Sequence, residues 1–194
     1  MRRVIALTVT WTLCLALPAT AGGPNHVVVA SPTADGAQIH RSNVQVSSTG
    51  SDSVTSTNLA SATPHDCTGC EGIAVAFQAI IMTGHPANFA PTNAAVAVNS
   101  NCTSCGAFAF AYQYTVDADR GTHLSKDGRD KIAAIRREAA ADINAGLPYD
   151  QLDATLKTLS LKFRSAVDND LERSGADPHN GTLDADTDEA PADS

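Results

Sequence analysis

Basic residues are scarce in this 194-residue chain. Thirteen Lys and Arg stand against twenty-one Asp and Glu, and the formal charge at pH 7 is −8. Sequence-independent nucleic-acid binding needs clustered Lys and Arg, so nucleic acid is excluded as a partner. Aromatics are few as well: one Trp, three Tyr and five Phe. The apolar content of 43% is nevertheless ordinary for a globular chain, which excludes a fully disordered protein. Catalytic signatures are missing. There is no H-E-x-x-H, no G-x-S-x-G and no phosphate-binding loop. The six histidines, His26, His40, His65, His85, His123 and His179, fall at no metal-ligand spacing. His65 lies near Cys67, but a loop histidine is the simpler reading. Asp184, Asp186 and Asp188 begin like a calcium loop, yet Glu189 replaces the required Gly. The sequence therefore predicts no metal site, no cofactor and no enzyme.

Long apolar runs are absent except at the start. Residues 4–17 carry no charge but are too few to span a bilayer comfortably. Arg2 and Arg3 precede the run, Pro18 breaks it, and Ala19-Thr20-Ala21 offers small residues for cleavage. This is the pattern of a secretory signal peptide over residues 1–21, and it predicts a secreted or extracytoplasmic protein. Membrane contact would arise only through that segment if it stayed uncleaved. Cys14 sits within it without a lipobox. The other four cysteines form two C-x-x-C pairs, and an even number in an exported chain points to disulfides.

The strongest feature present is an internal repeat. Residues 58–81 align without a gap on residues 93–116. Asn58 falls on Asn93, Cys67 on Cys102, Cys70 on Cys105, Phe77 on Tyr112 and Gln78 on Gln113. In the second copy aromatics occupy every other position from Phe108 to Tyr114, which is strand periodicity. Ala94, Val96 and Val98 alternate with Ala95 and Ala97, so each copy reads as strand, C-x-x-C turn, strand. Residues i and i+3 of a tight hairpin lie within the Cα separation that a disulfide accepts, which favours Cys67 with Cys70 and Cys102 with Cys105. Two other readings stay open. Four thiolates can hold one zinc, although the 31 residues between Cys70 and Cys102 are a long spacing. Redox catalysis needs a thiolate stabilised at a helix N-terminus, and these pairs fall between strands. Gln78 and Gln113 are equivalent and are expected to hydrogen-bond across a sheet face.

Around the repeat the chain divides into a Ser/Thr-rich segment at 22–57, a main domain at 58–173 and an acidic tail at 174–194. Short strands are expected at Val27 to Val29 and within 38–46, while 47–57 has the composition of a linker. After the repeat come two helices. Ser125 caps the first, whose buried face carries Ile132, Ile135, Ala139 and Ile143, and Gly146 with Pro148 end it. Leu152, Leu156, Leu159, Phe163, Val167 and Leu171 form the apolar stripe of the second. Residues 176–194 hold six acids and no Lys or Arg, the composition of a solvated tail.

The segment from 58 to 173 resembles a repeat domain of exported actinobacterial proteins. The likeness rests on Asn93-Ala94-Ala95-Val96-Ala97, the C-x-x-C of Cys102 and Cys105, and Tyr112-Gln113. Some chains with this repeat are called peptide zinc metalloproteases because they also carry a membrane protease part. This sequence has no such part, so the resemblance implies no catalytic residue. The expected fold is α+β, a small antiparallel sheet of two C-x-x-C hairpins whose alanine face packs on a C-terminal helical hairpin. The expected function is an exported, non-catalytic binding or structural module with an unknown protein or cell-surface partner. The alternative is an extracytoplasmic thiol–disulfide oxidoreductase.

Overall fold

The computed structural model describes residues 24–172 and 182–190. The signal segment, and the tail residues outside 182–190, lie beyond the described residues. Six strands form the body: β1 (His26–Ala30), β2 (Gln38–Thr49), β3 (Ser53–Ala62), β4 (Glu71–Thr83), β5 (Asn88–Ala97) and β6 (Gly106–Ala118). Odd and even strands go to different sheets. β1, β3 and β5 make one parallel sheet, and β2, β4 and β6 make another. The chain therefore alternates between two facing sheets and advances one strand spacing per turn, giving a flattened parallel β-solenoid of three coils.

This overturns the antiparallel hairpins expected from sequence. The C-x-x-C turn does not fold β4 back on β3. It carries the chain around a corner into the other sheet, and the partner of each strand is the same strand one coil later. Asn58 pairs with Asn93, Ala60 with Ala95, Phe77 with Tyr112 and Gln78 with Gln113. A hairpin turn and a solenoid corner have the same local signature, strand–turn–strand, so alternation alone does not separate them. In the Ser/Thr-rich segment strands do form at Val27 to Val29 and over 38–46, but 47–57, expected as a linker, is largely strand as well. The segment holds β1, β2 and the start of β3, and it stacks as a first coil without cysteines: His26 on Asn58, Val44 on Phe77, Gln45 on Gln78.

The even-numbered sheet is buried on both faces. Its alanine face, with Ala74, Ala76, Ala107, Ala109 and Ala111, meets Val28, Ala30, Ala60, Ala62, Ala95 and Ala97 of the other sheet. Its large face, with Ile73, Val75, Phe77, Phe108, Phe110, Tyr112 and Tyr114, packs on two helices. The alanine face thus meets a sheet, and the aromatic face meets the helices, the reverse of the expected arrangement. The physical reason is space. Two strands joined by one short corner must lie close together, and methyl side chains allow that.

The helices are α1 (Lys126–Asp142) and α2 (Tyr149–Asn169). Ser125 caps α1, its Oγ accepting from Gly128 N at 2.9 Å. Gly146 adopts φ +65° after the last turn, and Pro148 precedes α2. Leu152, Leu156, Leu159, Phe163 and Val167 are all buried, as the stripe predicts, and Leu171 is partly buried beside them. Phe163 meets Phe77 and Tyr112 edge-on, with centroids at 5.7 and 6.1 Å. Two short strands, β7 (His123–Leu124) and β8 (Leu171–Glu172), pair to tie the start of α1 to the end of α2.

The acidic segment expected to be solvated contains a strand, β9 (Thr182–Ala190), antiparallel to β6 with Thr115 opposite Thr182 and Ala107 opposite Ala190. Asp184, Asp186 and Asp188 alternate with Ala185 and Thr187, a period of two that acidic composition conceals. Pairing covers the backbone edge of the last long strand.

Phe163→Ala is expected to cost about 3–5 kcal/mol, since it empties a site between two aromatic rings and the sheet. Leu161, two residues away and 61% exposed, is expected to cost under about 0.5 kcal/mol when changed to Ala. Denaturant melts of the two variants measure the difference, and equal effects would mean that α2 does not seal the aromatic face.

Candidate functional site

The site begins with the corner that turns each coil. Asp66 and Gly69 in one coil, and Asn101 and Ser104 in the next, adopt positive φ of 55, 65, 49 and 55°. Gly36, at φ 67°, turns the first coil. These left-handed residues bend the chain sharply enough to change sheets, and Gly, Asn and Asp tolerate them best. Successive corners stay hydrogen-bonded. Asp66 N donates to Ser100 O, Gly69 N to Thr103 O at 2.8 Å, Thr103 N to Cys67 O at 3.2 Å and Gly106 N to Cys70 O at 2.9 Å. Side chains add two ties, from Asn101 Nδ2 to Asp66 Oδ1 at 2.5 Å and from Thr68 N to Asp35 Oδ1 at 2.7 Å.

This stacking brings all four cysteines together. Cys67 is bonded to Cys70 and Cys102 to Cys105, across Cα separations of 6.2 and 5.9 Å. The two pairs are not independent, because all four sulfurs lie within 4.8 Å of one another. Cys67 Sγ stands 3.5 Å from Cys102 Sγ and 4.0 Å from Cys105 Sγ. Cys67, Cys70 and Cys105 are buried, and Cys102 is half-buried. The pairs sit between strands, and the start of α2 at Pro148 and Tyr149 lines the same cleft as Cys70. His65 does not join the cluster. Its Nδ1 faces Asp66 Oδ2 at 3.1 Å on the exposed side.

Beside the corner lies a cleft of about 520 Å³ whose lining includes Cys70, Glu71, Ser104, Gly106 and Tyr149. Here four polar side chains connect in series. Tyr149 Oη donates to Glu71 Oε1 at 3.1 Å, Glu71 Oε2 meets His40 Nε2 at 2.9 Å, and His40 Nδ1 meets Asn144 Oδ1 at 3.3 Å. Asn144 comes from the helix connection, Tyr149 from the first turn of α2, His40 from β2 and Glu71 from β4. The series fastens the helical layer to the corner end of the sheet. Gly106 makes it fit, because a Cβ there would collide with Tyr149 Oη. Sequence reasoning did not find this group, since its members are far apart in the chain and share no motif.

A second polar series runs through the alanine interior. His26 Nδ1 donates to Asn58 Oδ1 at 2.8 Å, and Asn58 Nδ2 donates to Asn93 Oδ1 at 2.8 Å. Gln113 Nε2 donates to Gln78 Oε1 at 2.7 Å, and Gln78 Nε2 to Pro24 O at 2.7 Å, so the equivalent glutamines do bond along the stack. His26 is 3% exposed, and its Nε2 has no partner among the described residues. Burial holds its imidazole below the ordinary value of 6.5, against the opposing effect of the Asn58 hydrogen bond. On the aromatic face, burial and the hydrogen bond to Asp168 push the Tyr114 phenol up to about 12.

Comparison with protein-family models, curated proteins and solved structures finds no match to this chain.

Two outcomes are expected. The unfolded chain protonates His26 before the folded one does, because the folded value is depressed. His26 therefore adds stability that is complete above about 6.5 and is lost as pH falls from there through the folded value. Melting temperatures between pH 7.5 and 5 should fall less steeply for His26→Asn than for the parent, and parallel curves would remove His26 from the acid response. Digestion of unreduced protein should yield the peptide pairs of Cys67 with Cys70 and of Cys102 with Cys105. Each bond closes a short loop, so replacing one pair by serine should cost on the order of 2 kcal/mol. Cross-coil peptides would reject the local pairing.

Proposed function

We propose that this chain is an exported, non-catalytic binding module, a rigid solenoid pinned at one corner by two C-x-x-C disulfides, which contacts a neutral partner surface in the cell envelope through the outer face of its first sheet. The observation that carries this reading is the composition of that sheet. β1, β3 and β5 contain no Asp, Glu, Lys or Arg in a chain of formal charge −8. Of the five exposed large apolar residues among those described, four lie in or next to these strands: Val27, Val29, Val96 and Val98. An uncharged, partly apolar face is the feature of a contact surface. The resemblance to exported actinobacterial repeat domains and the signal-like N-terminus support placement outside the cytoplasm.

Thiol–disulfide catalysis is the weaker reading. It requires an accessible thiolate of lowered pKa, whereas three of the four cysteines are buried and all four are bonded in pairs.

Labelled protein applied to cells of the producing strain tests the proposal. Binding should persist at high salt, because no charge is involved. Val27→Lys combined with Val96→Lys should abolish it while leaving the melting temperature nearly unchanged, since both side chains are exposed. Binding that survives the double substitution would reject the outer face as the contact surface. Catalytic turnover in a disulfide-reduction assay would reject the non-catalytic reading in favour of the oxidoreductase.

A further inference from the structure

We infer that the four cysteines, once reduced, constitute a single tetrathiolate site for one soft divalent cation, with zinc the expected metal. The inference does not depend on the outer-face reading, because it concerns the opposite chemistry at a different part of the solenoid. It rests first on distance. Four thiolates around zinc at about 2.3 Å stand about 3.8 Å from one another. Between the two coils the sulfurs already stand at 3.5 and 4.0 Å, and all four fall within 4.8 Å. Within each pair, Cα separations of 6.2 and 5.9 Å leave room for the sulfurs to part to that distance by side-chain rotation.

The second ground is that the backbone holds the cysteines together whether or not they are bonded. Thr68 bridges Thr103, and the corner hydrogen bonds from Thr103 N to Cys67 O and from Gly106 N to Cys70 O fix one turn upon the next. Gly69 and Ser104 adopt the same left-handed conformation, so the two turns present their cysteines alike. Reduction therefore leaves four thiols gathered rather than scattered. The third ground is donor type and access. The cluster contains sulfur alone, a donor set that selects zinc and related soft metals over calcium or magnesium. Cys102, half-buried, gives the ion a way in.

The chemistry balances in two steps. A phosphine reductant gives two electrons to each disulfide and takes up a water oxygen, leaving two thiols and a phosphine oxide. The cation then displaces four thiol protons, forming four metal–sulfur bonds and a centre of net charge −2. Uptake should accordingly weaken as pH falls, because protons compete for the same sulfurs.

Cobalt(II) is the probe. The full chain, reduced with a phosphine under anaerobic conditions, should take up one equivalent, develop the visible bands of a tetrahedral centre with near-ultraviolet thiolate charge transfer, and lose both when zinc is added. The oxidised chain should take up none. The double variant Cys102→Ser, Cys105→Ser should lose stoichiometric uptake while its circular dichroism keeps the strand signal. If that variant does not fold, Cys102→Ser alone should keep the tetrahedral bands with charge-transfer intensity lower by about one quarter, three thiolates of four remaining. Absence of uptake by the reduced parent, two equivalents per chain, uptake by the oxidised chain, or equal uptake by the double variant would each overturn the assignment.

Discussion

The backbone ladder between coils is the constraint on which the rest depends. Each strand finds its hydrogen-bond partner one turn later in the chain, and every other feature follows from that register. Asn58 meets Asn93, Phe77 meets Tyr112 and Gln78 meets Gln113 because Glu71 is paired with Gly106 and Ser53 with Asn88. A slip of one residue would turn alanines toward the helices and aromatics into the narrow space between the sheets. The two faces of β4 and β6 differ so much in volume that such a slip cannot pack. Register is thus set by size as well as by polarity.

The narrow interior explains both what is small and what is polar there. Methyl groups fill most of it. Where a longer polar side chain enters, it bonds along the stack to its equivalent in the next coil, as Asn58 does to Asn93 and Gln113 to Gln78. A buried amide without a partner costs about 1–3 kcal/mol, so such groups are admitted only where a neighbouring coil supplies the partner. His26 begins this series with a different residue. Its Nδ1 is satisfied by Asn58 and its Nε2 by nothing among the described residues.

The corner transfers the same register to chemistry. Two C-x-x-C turns in isolated hairpins would be two separate disulfides. Stacked one on the other, they place four sulfurs in one cluster, with Cys102 nearest to solvent. The Tyr149–Glu71–His40–Asn144 series fastens the helix connection to the same end of the sheet, so the helices brace the corner as well as covering the aromatic face.

The sequence by itself determined the local elements. It determined that 35-residue spacing relates equivalent positions, that the second half of each repeat is a strand, and which faces of the two helices are apolar, from the Ser125 cap to the stripe of Leu152, Leu156, Leu159, Phe163 and Val167. These follow from periodicity, turn residues and caps, which act over a few positions of chain. Tertiary structure alone decided that the sheets are parallel, that alanine faces alanine, that the Ser/Thr-rich segment is a first coil, and that Thr182–Ala190 pairs with β6. A strand carries the same alternation whether its neighbour is parallel or antiparallel, and a turn of four residues does not record whether the chain returns to the same sheet or crosses to another. The cysteine cluster was hidden for the same reason: each pair is visible in the chain, but their meeting is a property of the stack.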